Sequence, residues 1–237
     1  MPTSTTAAPG FTNSAVTKAG RPIAATRMSA SRATARSDAM LRIALTGGIA
    51  SGKSYVLEQF RRHGVPCLDS DELVHGITSA GTAATAAIAE RFGRDVLASD
   101  GSVNRATLGP IVFADAAARR DLEAIVHPAV YRAIAAGIRG FERLDQYAFA
   151  VVDVPLLFET GHDNDFDRVI VTVCPLEMQI ARLRERGMSE ADARQRLAAQ
   201  WPTDRKAAGA HFVIRTDGTF DDTNRQVTEV ISTLRSI

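Results

Sequence analysis

Short apolar runs and longer amphipathic segments alternate along the chain from residue 41 to its end. The apolar runs contain few polar breaks, and they predict strands at residues 41–46, 65–68, 147–152, 168–173 and 211–214. The amphipathic segments predict helices at residues 52–63, 176–186 and 190–200, and from about residue 220. Continuous apolar strands separated by helices are typical of a parallel sheet that is covered on both faces. We therefore predict an α/β fold with a three-layer α/β/α architecture.

An alanine-rich segment of helical pattern, residues 71–141, separates the second and third predicted strands. Glycine and proline interrupt helices, which predicts breaks at Gly81, at Gly93, at residues 101–104 and at His127-Pro128. The segment is too long to be one crossover helix between two strands. Part of this segment is therefore expected to form a separate small helical lobe.

Residues 1–40 are rich in Ala, Ser and Thr and contain few large apolar side chains. Such a segment cannot bury enough surface to offset its ordering entropy, so we expect a disordered N-terminal extension. Its basic, acid-poor composition resembles an organelle transit peptide, but the apolar core of a secretory signal is missing. A dispensable tail, or translation from Met40, is the simpler interpretation.

The overall composition is typical of a globular protein, with 45% hydrophobic residues, 23% charged residues and a net charge of +1. No apolar run approaches the ~18 residues that a membrane helix needs. No basic stripe indicates a nucleic-acid partner. Cys67 and Cys174 lack metal-binding spacing and are expected to be small buried side chains in a reducing compartment. We therefore predict a cytoplasmic protein with neither membrane nor nucleic acid as a partner.

A nucleotide-binding motif follows the first predicted strand, because residues 47–54 read GGIASGKS and match the P-loop pattern GxxxxGK[ST]. In such a loop, successive main-chain N–H groups point at a phosphate, at the positive end of the helix that begins there. The ammonium group of Lys53 is expected to bind the β- and γ-phosphates, and the hydroxyl group of Ser54 to bind Mg²⁺. The predicted ATP-binding residues are Gly48, Ile49, Ala50, Ser51, Gly52, Lys53, Ser54 and Tyr55.

A P-loop alone leaves the class of protein open. A GTPase switch would carry DxxG after a strand and [NT]KxD for guanine, and the sequence contains neither motif in such a place. A motor or DNA-acting ATPase would need a larger core and a basic groove, which the composition does not indicate. A small-molecule kinase has about this size, and it needs an acceptor pocket, a base and an arginine-bearing lid.

Carboxylates follow two of the predicted strands. Asp69 and Asp71 come directly after the second strand, at the edge where ligands bind in open α/β sheets. We predict that Asp71 is the catalytic base for an acceptor hydroxyl group and that Asp69 caps the following helix. Asp153 ends the third strand, and we predict that it holds Mg²⁺ through water. A purely structural buried carboxylate is the alternative for Asp153.

An arginine-rich helix ends at Gly187, and another helix begins with Ser189 as its cap. Arginines on such a hinged arm can neutralise a transferring phosphoryl group and exclude water when the arm closes. Most arginines on an amphipathic helix only face solvent, but Arg186 lies next to the hinge and is predicted to act in catalysis.

Taken together, these features resemble the dephospho-CoA kinase family from residue 41 to the C-terminus. The P-loop alone would be unspecific, but further matching strings occur in the order that the family shows. They are DSD at residues 69–71, Arg105 with residues 108–109 and 112–113, Leu122-Glu123 with His127-Pro128, DVPLLFE at residues 153–159, the lid segment, and Gln200 with Lys206.

The resemblance implies phosphorylation of the 3′-hydroxyl group on the ribose of dephospho-CoA by ATP with Mg²⁺, which yields coenzyme A and ADP. It also implies a helical acceptor-binding lobe at about residues 73–143 and a lid at about residues 184–200. By the same resemblance Asp71 is the base, Lys53 binds phosphate and Arg186 is the lid arginine. The residues that would border the acceptor are Asp71, His127, Leu156, Leu157, Phe158 and Glu159. A purely structural role for His127, at the start of a helix, stays open.

Four positions depart from the family pattern. Ala50 replaces a usual glycine, which is tolerable if its φ is negative, and Tyr55 replaces a small hydroxyl residue. His211 and Thr216 replace an Asp and an Asn near the expected adenine-contacting loop, which leaves the base preference open. A related nucleoside or nucleotide kinase and a degenerate nucleotide-binding protein are the alternative functions. The oligomeric state, a monomer or a weak oligomer, is also open.

Overall fold

The computed structural model describes residues 39–237, so the predicted disordered extension lies outside the described residues apart from its last two positions. Five strands form one parallel sheet in the spatial order β2-β3-β1-β4-β5. They are β1 (Leu41–Gly47), β2 (Cys67–Asp69), β3 (Phe149–Asp153), β4 (Arg168–Val173) and β5 (Phe212–Arg215). The strands predicted from the apolar runs are confirmed, because the ends of each differ by no more than about two residues.

The α-helices of the described residues are α1 (Lys53–Arg62), α2 (Ser70–Ile77), α3 (Ala83–Phe92), α4 (Arg105–Ala114), α5 (Ala116–Leu144), α6 (Leu176–Glu185), α7 (Glu190–Ala198), α8 (Thr203–Ala208) and α9 (Phe220–Arg235). Short 3₁₀ turns lie at Arg94–Val96 and Asp163–Asp165. The sequence pattern predicts α1, α6, α7 and α9 but not α8. A helix of six residues is too short to show a clear apolar period.

The sheet lies between two helical layers because its strands are apolar on both faces. Ile43 and Leu45 of β1 pack on one face in a cluster that includes Phe60 of α1 and Leu234 of α9. Ala44, the residue between them, belongs to the cluster on the opposite face, where α5 packs. Side chains alternate between the two faces of a strand. This arrangement confirms the predicted three-layer architecture.

Helix α5 runs for 29 residues through Pro128, so the predicted helix break at His127-Pro128 is wrong. Proline lacks an N–H group and its ring crowds the preceding turn, which costs about 3 kcal/mol inside a helix. Burial of the next turns offsets this cost, because Val130, Ile134 and Ile138 pack in the core beneath the sheet. Their spacing of four residues places them on one face of the helix. Tertiary packing therefore outweighs the local preference.

Helices α2 to α5 supply the helical segment expected between β2 and β3, and a third apolar cluster of Ile88, Val96 and Leu108 lies among them. The other predicted breaks are confirmed, because each lies between two of these helices. The boundaries of the lobe as a unit of its own stay a prediction. Within residues 39–237, no helix combines the length and the apolar character that crossing a bilayer requires.

Candidate active site

The carboxyl ends of β1, β2 and β3 meet at one edge of the sheet and bring three sequence motifs together. Asp153 of β3 lies in register with Asp69 of β2 on one side and with Leu45 of β1 on the other. The P-loop follows β1 at this edge, and α2 begins directly after β2. Because ligands of open α/β sheets bind outside the carboxyl ends of the strands, this edge is the candidate active site.

The P-loop, residues 47–54, turns from β1 into α1 at Gly52. The φ of Gly52 is 84°, in the left-handed region that favours glycine. Gly52 is the N-cap of α1 and brings no side chain to cap it, so the main-chain N–H groups of the first turn can bind an anion. Gly47 is constrained differently, since a Cβ atom there would overlap the hydroxyl group of Thr172. The local geometry fits the predicted phosphate site.

Ala50 has a φ of 58°, so the negative φ under which an alanine would be tolerated at this position is not found. A residue with a Cβ atom in the left-handed region costs roughly 1–2 kcal/mol. Contacts from other segments hold this geometry. One of them is a hydrogen bond of 3.1 Å that Nη1 of Arg182 donates to the carbonyl group of Ala50. The loop is therefore strained at the position where the family usually has glycine.

Lys53 and Asp153 form an ion pair at the sheet edge, in which Nζ of Lys53 donates hydrogen bonds to both carboxylate oxygens of Asp153. Burial raises the pKa of Asp153 to about 6, although Lys53 opposes this shift. The charges of Asp69 and Asp71 raise this pKa further by smaller amounts. A buried carboxylate in such surroundings needs a neighbouring cation to stay ionised, and Lys53 is that cation here.

Asp69 and Asp71 differ in what they contact. The Oδ1 atom of Asp69 accepts hydrogen bonds from the main-chain N–H groups of Asp71, at 2.9 Å, and Glu72, at 3.4 Å. Asp69 is thus the N-cap of α2, which confirms its predicted role. Asp71 is exposed and lines a cavity, and it lies close enough to Asp153 to raise the pKa of that carboxyl group.

The cavity beside Asp71 has a volume of about 250 Å³ and lies between α2, α5 and the loop after β3. His127 and Leu156 line it as well. A second cavity of about 330 Å³, walled mainly by apolar side chains of α2 to α5, adjoins the first. Val74, Val126 and His127 line both cavities. Together the two cavities form a groove across the helical segment, which we call the lobe groove.

The loop after β3 carries four residues predicted to border the acceptor, and the structure separates them. Leu156 lines the cavity beside Asp71. Leu157 is fully buried in the apolar core, so its prediction as an acceptor contact is corrected to a packing role. Phe158 stacks on Trp201 with ring centroids 6.1 Å apart. The loop turns so tightly that neighbouring side chains point in different directions, and a sequence string cannot show this.

Glu159 of the same loop pairs with Lys206 of α8, with 2.8 Å between Oε1 and Nζ. Lys206 is fully buried and also donates a hydrogen bond of 3.2 Å to the carbonyl group of Pro155. Glu159 Oε1 accepts the main-chain N–H of Trp201 at 2.9 Å. Among the described residues its other oxygen has no hydrogen-bond partner. Glu159 therefore fixes the loop to α8, and the structure does not bring it to the cavity beside Asp71.

The arginine that contacts the P-loop is Arg182 of α6 rather than Arg186. Arg186 is exposed at the end of α6 and borders a cleft together with Phe113 of α4. The guanidinium group of Arg182 binds the carbonyl group of Ala50 and, at 2.6 Å, that of Thr216. Sequence reasoning missed Arg182 because an arginine on an amphipathic helix gives no signal of where it points. A catalytic role for Arg186 stays a prediction that requires the lid to close.

Three further residues that depart from the family pattern support the structure around the P-loop and the sheet. The hydroxyl group of Tyr55 donates a hydrogen bond of 2.9 Å to Asn224 of α9. The hydroxyl group of Thr216 donates one of 2.7 Å to the carbonyl group of Ser51. His211 accepts a hydrogen bond of 3.1 Å from the main chain of β4, and burial lowers the pKa of its ring.

The donor atoms at the sheet edge suit a Mg²⁺ ion that is shared with a nucleotide. Ser54 is exposed at the start of α1, and Asp153 supplies a carboxylate at the end of β3. Within residues 39–237, no three His, Cys, Asp or Glu side chains are grouped to hold a metal ion by themselves. Proteins usually bind Mg²⁺ through one or two oxygen atoms, with phosphates and water completing its shell. A hydroxyl group and one carboxylate fit that pattern.

Comparison with known proteins agrees with this site. A sequence profile of the dephospho-CoA kinase family matches residues 41–222. The chain belongs to this family. Curated dephospho-CoA kinases that it resembles include that of Cutibacterium acnes, 42% identical over 81% of this chain and 84% of the relative. Another, from Geobacter metallireducens, is 45% identical over 79% of this chain and 94% of the relative.

Solved structures show the same fold. A Thermus thermophilus protein superimposes with a TM-score of 0.67 at 30% identity, covering 83% of this chain and 98% of its own. The dephospho-CoA kinase of Campylobacter jejuni gives a TM-score of 0.63 at 26% identity, covering 82% and 97%. The family and enzyme class expected from the sequence are thereby confirmed. The chain is a P-loop kinase for the ATP-dependent phosphorylation of dephospho-CoA in coenzyme A biosynthesis.

Proposed function

We propose that the chain transfers the γ-phosphoryl group of ATP to the 3′-hydroxyl group on the ribose of dephospho-CoA, with Asp71 as the base that orients this hydroxyl group. The position of Asp71 carries the proposal. Its carboxylate lines the cavity beside α5, and its charge acts on Asp153, the partner of Lys53. A hydroxyl group held in that cavity would lie between Asp71 and the phosphates bound at Lys53, as in-line transfer requires.

In the proposed ATP complex, phosphate oxygens replace the carboxylate of Asp153 beside Lys53. An ammonium group that binds two carboxylate oxygens is already placed for two phosphate oxygens, since both acceptors are anionic. The main-chain N–H groups at the start of α1 supply further donors. Once Lys53 turns to the phosphates, Asp153 and the hydroxyl group of Ser54 are the residues proposed to hold Mg²⁺. Mg²⁺ bound there neutralises charge on the phosphates.

The lobe groove offers two kinds of surface, and dephospho-CoA has two matching parts. Asp71 and His127 line the first cavity, which suits the polar ribose. The second cavity is mainly apolar, with Arg105 and Glu123 among its residues, and it suits the flexible pantetheine arm. His127 lines both cavities and is proposed to contact the acceptor where the two parts join.

Arg186 is proposed to reach the transferring phosphoryl group when the lid closes over ATP. The turn that carries Arg186 already borders the lobe at Phe113, so a modest rotation of the lid would enclose the space between them. We also propose a cytoplasmic location, with ATP and dephospho-CoA as the small-molecule partners. Both cysteines are free thiols, the form expected in a reducing compartment.

The test is a coupled ADP-release assay with ATP and Mg²⁺, in which dephospho-CoA, adenosine and AMP are compared as acceptors. We expect ADP only with dephospho-CoA, together with a coenzyme A product. Asp71→Asn should lower kcat by roughly 100-fold or more, while the KM for ATP changes little. Glu72→Gln, the neighbouring exposed carboxylate on α2, is the matched control and should keep wild-type kinetics.

Two results would contradict the proposal. Turnover with adenosine or AMP but not with dephospho-CoA would show that the acceptor is wrong. An unchanged kcat in Asp71→Asn would remove Asp71 from the mechanism and leave the reaction without its proposed base.

A further inference from the structure

Three polar side chains, two from α6 and one from the end of the predicted lid, hold consecutive main-chain groups of the P-loop. Gln179 of α6 donates a hydrogen bond of 2.9 Å from Nε2 to the carbonyl group of Ile49. Gln200, just after α7, accepts one of 2.9 Å at Oε1 from the N–H group of Ile49. Arg182 donates one of 3.1 Å to the carbonyl group of Ala50. We call these three hydrogen bonds the lid-base contacts.

The lid-base contacts fix the peptide planes on both sides of the strained residue. The carbonyl group of Ile49 belongs to the plane before Ala50, and the carbonyl group of Ala50 belongs to the plane after it. Gln179 holds the first of these planes and Arg182 the second, so rotation about both main-chain torsions of Ala50 is restricted. Gln200 holds the plane before Ile49. Side chains of α6, together with Gln200, therefore hold the left-handed φ of 58°.

The direction of the N–H group of Ala50 follows from this geometry. In a P-loop the N–H groups must converge on the phosphates to bind them. If the lid-base contacts were lost, Ala50 would relax towards a negative φ, which any L-residue prefers. Its N–H group would then turn away from the common centre. The amides of Gln179 and Gln200 carry no charge, so they can hold the loop without repelling or attracting an anionic ligand.

We propose that Gln179 and Gln200 are positioning residues for ATP. They keep the P-loop in the strained conformation that binds phosphate by holding its main-chain groups. The proposal rests on the P-loop being the ATP site, as proposed above. It means that α6 and the end of the lid shape the phosphate site, whereas the turn at residues 186–189 makes none of the lid-base contacts.

The test is steady-state kinetics of the full chain with ATP and dephospho-CoA varied in turn. Gln200→Met and Gln179→Met keep the length of the side chain but remove the amide. Each should raise the KM for ATP about tenfold, as expected for one lost hydrogen bond, with kcat and the KM for dephospho-CoA changed by less than about threefold. Gln146→Met, in the exposed loop before β3, is the matched control.

A second arm separates positioning from mere support of the fold. Ala50→Gly should restore the KM for ATP in both methionine variants to within about threefold of wild type, because glycine adopts a positive φ without strain. An unchanged KM for ATP in both variants would overturn the proposal. A lower Tm with KM values raised equally for both substrates, and no rescue by Ala50→Gly, would also overturn it.

The failure of this proposal can be told apart from the failure of the proposed function. ATP binding to each variant is also measured by calorimetry without an acceptor. If wild type binds ATP but does not turn over dephospho-CoA, the proposed reaction fails. The comparison of ATP affinities among the variants then still decides the role of the two glutamines.

Discussion

Around the P-loop, polar side chains hold main-chain atoms one by one. Gln179, Arg182, Gln200 and Thr216 each bind a carbonyl or N–H group of residues 49–51. The lobe groove is built differently, because its second cavity is walled mainly by apolar side chains with an apolar cluster behind them. One region is fixed by directional hydrogen bonds, and the other is stabilised by burial that has no preferred direction.

This difference matches what each region is proposed to bind. A phosphate group is recognised by donors that point at fixed places, so small rotations of the loop weaken binding. The flexible pantetheine arm proposed for the lobe groove depends more on contact area, and side chains that shift slightly can still supply that area. Changes near the P-loop should therefore act on ATP kinetics, and changes in the lobe on acceptor binding and stability.

The largest effect is expected for Lys53→Ala. This variant removes the ammonium group at the phosphate site and should lower kcat/KM for ATP by roughly 1,000-fold. Circular dichroism should show an intact fold. Arg62→Ala, an exposed cation on the same helix, is the control and should keep its activity. Near-normal turnover in Lys53→Ala would mean that the P-loop is not the catalytic phosphate site.

Leu108→Ala tests the lobe groove, which is the apolar region of the two being compared. Leu108 is buried in the apolar cluster that it forms with Ile88 and Val96, and it also lines the second cavity of the lobe groove. Its truncation should lower the free energy of unfolding by about 2–3 kcal/mol, measured by urea denaturation. The KM for dephospho-CoA should rise while the KM for ATP stays unchanged. A rise in the KM for ATP alone would contradict the division between the two regions.

The rate of the reaction should depend on pH through the ionisation of the Asp153 carboxyl group. Burial raises the pKa of this carboxyl group from 3.8 to about 6, so kcat/KM for ATP should fall below pH 6, roughly tenfold per pH unit. Because this pKa is raised on folding, protonation favours the folded state. The contribution of Asp153 to the free energy of unfolding therefore decreases as pH rises from 3.8 to about 6. A flat rate profile between pH 5 and pH 7 would contradict this role.

The smallest effect is expected for Ala50→Gly in the otherwise unchanged chain. Glycine removes the strain at a φ of 58° but gains freedom in the unfolded state. The net increase in the free energy of unfolding should be about 0.5–1 kcal/mol. Gly52→Ala is the opposite case, because its φ is 84° and a Cβ atom would lie 3.0 Å from Thr216. A lower free energy of unfolding in Ala50→Gly would contradict the strain inferred at Ala50.

Much of the fold could be predicted because the signals were local. Apolar runs located all five strands, the P-loop pattern located the turn into α1, and Asp69 was recognised as a helix cap from its place after a strand. The path of α5 through Pro128 could not be predicted, because burial of residues that follow the proline decides it.

The candidate site was predictable in its chemistry but not in its geometry. Lys53, Asp71 and Asp153 could be found because their residue types and positions after strands are informative. The sign of φ at Ala50, the inward direction of Arg182 and the burial of Leu157 depend on contacts between distant segments. No local pattern encodes those contacts. The lid-base contacts belong to the same class, since they join residues more than 100 positions apart.

The length of helix α5 affects how the lobe groove can change its width. At 1.5 Å per residue its 29 residues form a rod of about 43 Å. The N-terminal half, with Leu122, packs in the lobe, and the C-terminal half, with Ile138, packs under the sheet. Bending of a helix concentrates at an internal proline. Pro128 is therefore the position at which α5 would bend most easily. His127, next to Pro128, lines both cavities of the lobe groove. Tilting of the lobe would therefore widen or narrow the far end of the groove with little displacement beside Asp71.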